Sequence, residues 1–246
     1  MALTTITAWE TDRFMCFSQT VSFIGGTALL AGGAYSAYKA LEINPRYLPA
    51  SLMPILAGIQ QFSEGHVWMG LNREDPSMIS WAALTFIFFS WLAWPILVPL
   101  LTAILEPEIK KKRIMFSFAF VGAALGFTMF LPYMMYHDWL TVRIVKHSIA
   151  YGDRLLTDSF MPREVTYFIY LAIIIMPTLL SSFHHMRMFG FTLMAIVLVT
   201  YFFLYYAYIS FFCILAAAGT IHLIYIILGN KCCAKYLPIP VSRRPL

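Results

Sequence analysis

From residue 19 to residue 229 the chain is a succession of seven apolar runs, at roughly 19–41, 50–71, 79–105, 114–136, 166–183, 189–207 and 209–229. Each is close to the about 20 residues that cross about 30 Å of hydrocarbon as a helix. Lipid offers no partner to backbone N–H and C=O groups, so a crossing segment must close its own hydrogen bonds as a helix or join a closed barrel. Barrel strands alternate apolar and polar residues, and no such alternation runs through these segments. The expected fold is all-α, a polytopic transmembrane bundle of seven spans. Charge points the same way. Only 12% of the residues are charged and 60% are hydrophobic, whereas soluble domains carry about a quarter charged.

The last two runs are the hardest to divide. Residues 191–228 are apolar throughout, too long for one crossing, and a turn is expected near Tyr208, Ile209 and Ser210. Six spans and a re-entrant piece is the alternative. Elsewhere the breaks are marked by Asn44-Pro45, by Asn72 to Pro76, and by Glu106 to Arg113. The longest loop, 137–163, is expected to carry a short surface helix. Pro95 and Pro99 should kink the third span, because each removes one backbone donor. The expected organisation is an N-terminal extension (1–18), a seven-helix membrane domain (19–230) and a cytoplasmic tail (231–246). Glu10, Asp12 and Arg13 argue against a cleaved leader, so the first span is expected to act as an uncleaved signal.

Basic residues are retained in the cytoplasm. The side that holds the N-terminus has Arg13, Arg73, Arg143, Lys146, Arg154 and Arg163; the other has the larger share, Lys110 to Arg113 and Arg187 among them. The N-terminus is therefore expected outside and the C-terminus inside. The formal net charge of +5 belongs with orientation and anionic lipid. No basic and aromatic module of the nucleic-acid-binding kind is present, so nucleic acid is not an expected partner.

The second run holds the sharpest polar signal: Gln60, Gln61, Glu64, His66 and Trp68. Gln60, Gln61, Glu64 and Trp68 are spaced three or four apart around Glu64 and share one helix face. A carboxylate in hydrocarbon costs about 2.5 kcal/mol or more, so it should face a bundle interior, a partner or water. Glu64 is either the centre of an ion, proton or substrate site, or a hydrogen-bonded packing residue. Depth is expected to be about 10 Å from the outer end of its helix. Cys16 and Ser18, and Cys213 in the seventh run, are expected on the same outer side and join the candidate site. Cys16 and Cys213 could pair as a disulfide in an oxidising compartment or pack as free thiols. His66 points off the Glu64 face.

His184 and His185 end the fifth run. Adjacent helical residues point about 100° apart, whereas helical metal sites use His at i and i+3 or i+4. A zinc site would recruit them with the distant His222; the alternative is an interfacial turn with Arg187 reaching lipid phosphate. Cys232 and Cys233, beside Lys231 and Lys235, are candidate acylation sites. Gly25, Gly26, Ala28, Ala31, Gly32 and Gly33 in the first run permit close helix approach. No nucleophile elbow, zinc-protease motif, phosphate-binding loop or paired-cysteine motif is present.

Three stretches resemble an uncharacterised family of bacterial multi-pass membrane proteins. They are Met15, Cys16, Phe17 and Ser18; Gly58, Gln60, Gln61, Glu64, Gly65 and Trp68; and Ser181, Ser182, His184, Arg187, Phe189 and Gly190 with Ser210, Phe212 and Cys213. The resemblance implies a helical membrane domain, a bacterial inner-membrane location and no assigned activity. The first two stretches gather on the outer side and the Ser-Ser-x-His stretch on the inner, so they form two sites, or the inner one is structural. Three functions remain: a binding or transport site centred on Glu64, an intramembrane metal-dependent hydrolase loosely resembling the seven-helix ceramidase-type enzymes, and an accessory subunit among other membrane subunits.

Overall fold

The computed structural model describes residues 18–145, 148–152, 154–203 and 221. These contain six helices: α1 Gln19–Ile43, α2 Leu48–Arg73, α3 Pro76–Leu105, α4 Ile109–Met135, α5 Arg163–Leu180 and α6 His184–Phe203. The first six expected runs fall on them in order. The expected turn near Tyr208 and the seventh run lie outside the described residues. By length and composition α3, α4 and α5 can each cross a membrane. Small and polar residues in α1 and α2 keep those two helices below the same measure.

Each turn is built by local chemistry. Glu74 closes α2 in the left-handed region, at φ 53°. The Asp75 amide donates back to the Gly70 carbonyl at 2.9 Å, while the Asp75 carboxylate accepts from the Met78 amide at 3.0 Å and caps α3. Pro76 then occupies the first helical position, where no amide is needed. Asn72 Nδ2 donates to Gln19 Oε1 at 3.3 Å, bringing the end of α2 beside the start of α1. At the opposite end Tyr47 meets Phe183, and Ser181 meets Glu106. One end of the bundle therefore carries residues 44–47, 106–108 and 181–183. The other carries residue 18, residues 72–76 and the long loop.

That loop differs from expectation. Instead of a surface α-helix it forms an antiparallel hairpin, β1 Val142–Val145 with β2 Ser148–Tyr151, in the register Val142 to Tyr151 and Val145 to Ser148. Single 3-10 turns lie at His137–Trp139 and Leu156–Ser159. Val142, Ile144, Val145 and Ile149 are β-branched and favour a pleated, half-buried strand. Alternation points Ile149 and Tyr151 inward, each buried, and Tyr151 stacks on Phe86 of α3 at 4.6 Å. The hairpin thus roofs the bundle.

Two close helix contacts organise the interior. At the first, α1 crosses α2 through glycines: a Cβ on Gly26 would lie 3.2 Å from the Gly58 carbonyl oxygen, and one on Gly58 3.0 Å from that of Gly26. The glycine-rich first run therefore does what small residues do between helices. At the second, α3 meets α4. Residues Phe88–Ala93 form a π-turn just ahead of Pro95. The expected proline distortion takes the form of an overwide turn inside one continuous helix rather than a break.

Candidate functional site

Glu64 lies about two and a half turns before Arg73, deeper than the short outer helix end implied, at about 14 Å. Its side chain is buried, 2% exposed. The Ser22 hydroxyl of α1 donates to Oε2 at 3.4 Å. Ser18 caps α1 by accepting from the Val21 amide at 3.4 Å; one turn ahead of Ser22, it shares that residue's helical face. Gln61 and Trp68 lie on the Glu64 stripe, and both are buried. Gln61 Nε2 and Trp68 Nε1 have no hydrogen-bond partner among the described residues. A buried donor left unpaired costs about 1–3 kcal/mol, and such groups point to strain or to a bound species. His66 turns away, as expected. Its Nδ1 donates to the Phe62 carbonyl at 2.7 Å, and its ring packs between Phe23 and Trp81.

Gln60, one turn before Glu64 on the same side of α2, bonds to α3 instead of α1. Its Nε2 donates to Ser90 Oγ at 2.9 Å and its Oε1 accepts from Trp94 Nε1 at 2.7 Å. The π-turn explains why a third helix joins. The Trp94 amide reaches back five residues to the Phe89 carbonyl. The next donor in that register would be residue 95, which is proline and has none. The Ser90 carbonyl is left over, and the Tyr170 hydroxyl of α5 donates to it. Gln60, Ser90, Trp94 and Tyr170 thus tie α2, α3 and α5 at the level of Glu64. Tyr170→Phe should lower stability by about 1–2 kcal/mol, the cost of stranding a buried carbonyl. A melting temperature equal to wild type would show that the Ser90 carbonyl does not need the hydroxyl.

A second buried carboxylate, at the opposite end, was not legible as a site. Glu106 is 1% exposed. Its Oε2 accepts from Ser181 Oγ and from the Ser182 amide, each at 2.8 Å, and its Oε1 accepts from the Glu108 amide at 3.2 Å. Burial alone would raise this carboxyl. The donors from Ser181, Ser182 and Glu108 together outweigh burial and hold it below its ordinary value. The Ser-Ser-x-His stretch is therefore the turn that receives Glu106, and His184 and His185 begin α6 rather than end α5. Lys111 Nζ donates to Ser182 Oγ at 2.8 Å, the spacing of a serine–lysine nucleophile pair. Lys111 is half exposed and also pairs with Glu108 at 3.5 Å, whereas an activated lysine is desolvated or set beside another cation. It acts here as a donor in the same clasp.

Among the described residues no three His, Cys, Asp or Glu side chains gather into a group that could hold a metal. His222, Cys16, Cys213, Cys232 and Cys233 lie outside the described residues, so the zinc set and the Cys16–Cys213 pairing have no geometry here. Of the candidate residues, the structure brings Glu64, Gln61 and Trp68 together with Ser22, and places Gln60 one turn away in a network of its own.

The family model described as "Family of unknown function (DUF6629)" matches residues 15–236. The chain belongs to this family. The DUF6629 match begins at Met15, so residues 1–14 lie before it, and it includes both buried carboxylates, Glu64 and Glu106. No curated protein and no solved structure matches the chain.

Proposed function

We propose that this DUF6629 chain is an integral membrane protein that binds, and passes, a proton or a small polar molecule at Glu64. The observation that carries this is a carboxyl 2% exposed inside a helix bundle, with two unpaired N–H donors, Gln61 Nε2 and Trp68 Nε1, on its own helical stripe. A carboxyl serving packing alone gains nothing from unpaired donors beside it, since each is a cost. Ser22 supplies a hydroxyl from α1, and Gln60 fixes α2 against α3 one turn away. In this proposal the chain spans a bacterial inner membrane seven times. Lys110 to Arg113 and Arg187 face the cytoplasm, and the hairpin faces outside.

The test is infrared titration of the whole chain in lipid nanodiscs. A carboxylic C=O band that is lost in Glu64→Gln and that rises and falls reversibly with bath pH is expected. Glu64→Gln should retain the wild-type helical signal. If no band assigned to Glu64 responds to bath pH, or if the same pH response persists in Glu64→Gln, the carboxyl is a sealed packing residue and the proposal fails.

A further inference from the structure

The two ends of the bundle balance their charges differently. At the hairpin end the described residues hold five acidic side chains, Glu74, Asp75, Asp138, Asp158 and Glu164, against four arginines. At the opposite end they hold three, Glu42, Glu106 and Glu108, against seven Lys and Arg. Each of those three is already engaged. Glu42 pairs with Lys39 at 2.7 Å and Glu108 with Lys111 at 3.5 Å, while Glu106 is taken up by Ser181, Ser182 and the Glu108 amide. Among the described residues Lys110, Lys112, Arg113 and Arg187 take part in no ion pair. No Asp or Glu follows Glu164, so residues 165–246 offer them no carboxylate side chain. Lys110, Arg113 and Arg187 are exposed. The contact of Lys111 Nζ with Ser182 Oγ at 2.8 Å sets the first turn of α4 against the turn that leads into α6, so both basic stretches belong to one end face.

We infer that this end face is a docking surface for anionic phospholipid, whose headgroup phosphates are met by Lys110, Lys112, Arg113 and Arg187. The inference rests on the membrane reading above but not on Glu64. The four cations do not serve their own helices. Lys110 to Arg113 open α4 and Arg187 lies in the first turn of α6, and neither first turn holds an acidic residue. Cations at a helix start oppose its dipole. The surface beside them selects lipid over a soluble acidic partner. Ile114, Phe116 and Phe120 of α4 are exposed, and so are Met188 and Phe191 of α6. Cationic surface thus gives way to apolar surface within one turn of each helix, about 5 Å. A phospholipid presents phosphate and hydrocarbon in the same order. A nucleic acid or an acidic protein would cover the cations and leave the apolar band in water. A headgroup whose phosphate is balanced by its own amine offers no net charge, so the net-negative phospholipids are preferred. Each Lys or Arg near such a surface contributes about a fivefold gain in affinity.

The experiment measures retention of tail-labelled phosphatidylglycerol and phosphatidylcholine, with identical acyl chains, by the full chain in a neutral detergent. Wild type should hold phosphatidylglycerol about tenfold or more tightly than phosphatidylcholine, and raised salt should shrink the difference, since exposed charges are screened. Lys110→Gln, Arg113→Gln and Arg187→Gln should each weaken phosphatidylglycerol about fivefold and leave phosphatidylcholine unchanged. All three side chains are exposed, so the variants should keep the wild-type melting temperature. Arg143→Gln, at the hairpin end, should leave both lipids unchanged. Residues that only orient the chain during insertion would give no preference in detergent. Equal retention of the two lipids by wild type therefore overturns the inference, and so does a preference that survives all three substitutions. Displacement of phosphatidylglycerol by glycerol phosphate or by a short oligonucleotide at equal phosphate concentration also overturns it, because the surface would then read phosphate without lipid. Loss of the lipid preference with the Glu64 infrared band still titrating sinks this inference alone. A silent Glu64 band with the preference intact sinks only the Glu64 proposal.

Discussion

Gly122→Ala is expected to destabilise the bundle by about 3 kcal/mol or more, at or beyond the upper range for an overpacked core. A Cβ on Gly122 would lie 2.0 Å from the Pro95 carbonyl oxygen and 2.8 Å from its carbon, with Ile173 Cγ2 at 3.1 Å. The obstacle is backbone, so no rotamer change relieves it. That carbonyl is also unusual. In an α-helix its donor would be the amide of residue 99, which is proline. Its oxygen turns to the α-carbon of Gly122, an approach suited to a weak Cα–H···O contact. Gly126, one turn on, faces the Trp91 carbonyl in the same way, with a Cβ 2.8 Å from the oxygen. An alanine at 122 would push α4 off α3 along a contact that buries Trp91, Leu92, Met129 and Phe130. Gly25→Ala is the control. Its Cβ would meet Gln61 Oε1 at 3.7 Å, an ordinary contact, and should change stability by no more than about 0.5 kcal/mol. Thermal unfolding of both variants in detergent decides the matter. Equal melting temperatures would mean that α3 and α4 do not approach this closely.

This contact also shows where sequence reasoning stops. Pro95 and Pro99 announce a disturbed third span, because a missing amide is a local property. Which carbonyl is left over, and that Tyr170 and Gly122 answer it, depends on chain 27 to 80 positions away. The Glu64 stripe is legible for the opposite reason. A carboxyl and two amides at helical spacing inside an apolar run contradict their surroundings, and the contradiction is visible in one helix. The Asn72 to Pro76 turn is legible because cap, left-handed residue and proline act within one turn. The hairpin is not. Val142 to Tyr151 is too short for its alternation to stand out against a mixed-charge loop, and burial against Phe86 decides it. Residue 106 misleads most. A glutamate after an apolar run reads as a charged loop, since periodicity reports which face is apolar and not what covers the end of the helix. The serines that bury it lie 75 and 76 positions on.

Removing that carboxylate is the second large effect expected. Glu106→Ala takes the acceptor from Ser181 Oγ, the Ser182 amide and the Glu108 amide at once. Donors to a charged acceptor contribute about 1.5–3 kcal/mol each but do not add fully. The loss should be about 3–4 kcal/mol, as the end of α3 parts from the α5–α6 turn. Glu106→Gln keeps the shape and one acceptor oxygen, but sets an NH2 group against a donor, and should cost about 1–2 kcal/mol. The pH dependence separates charge from shape. The folded carboxyl lies below its ordinary value of 4.5. Its stabilisation is therefore complete above the unfolded value and is lost as pH falls through the folded one. Wild type should lose melting temperature on acidification from neutral pH to about pH 3 more steeply than Glu106→Gln, which has nothing to titrate at that position. Asp158, held low by its hydrogen bond from Arg163, tilts both curves alike and cancels in the difference. A double-mutant cycle with Ser181→Ala should give a coupling of about 1 kcal/mol or more. Parallel pH curves together with zero coupling would mean that Glu106 is buried without being clasped, and that the Ser-Ser-x-His turn is held by something else.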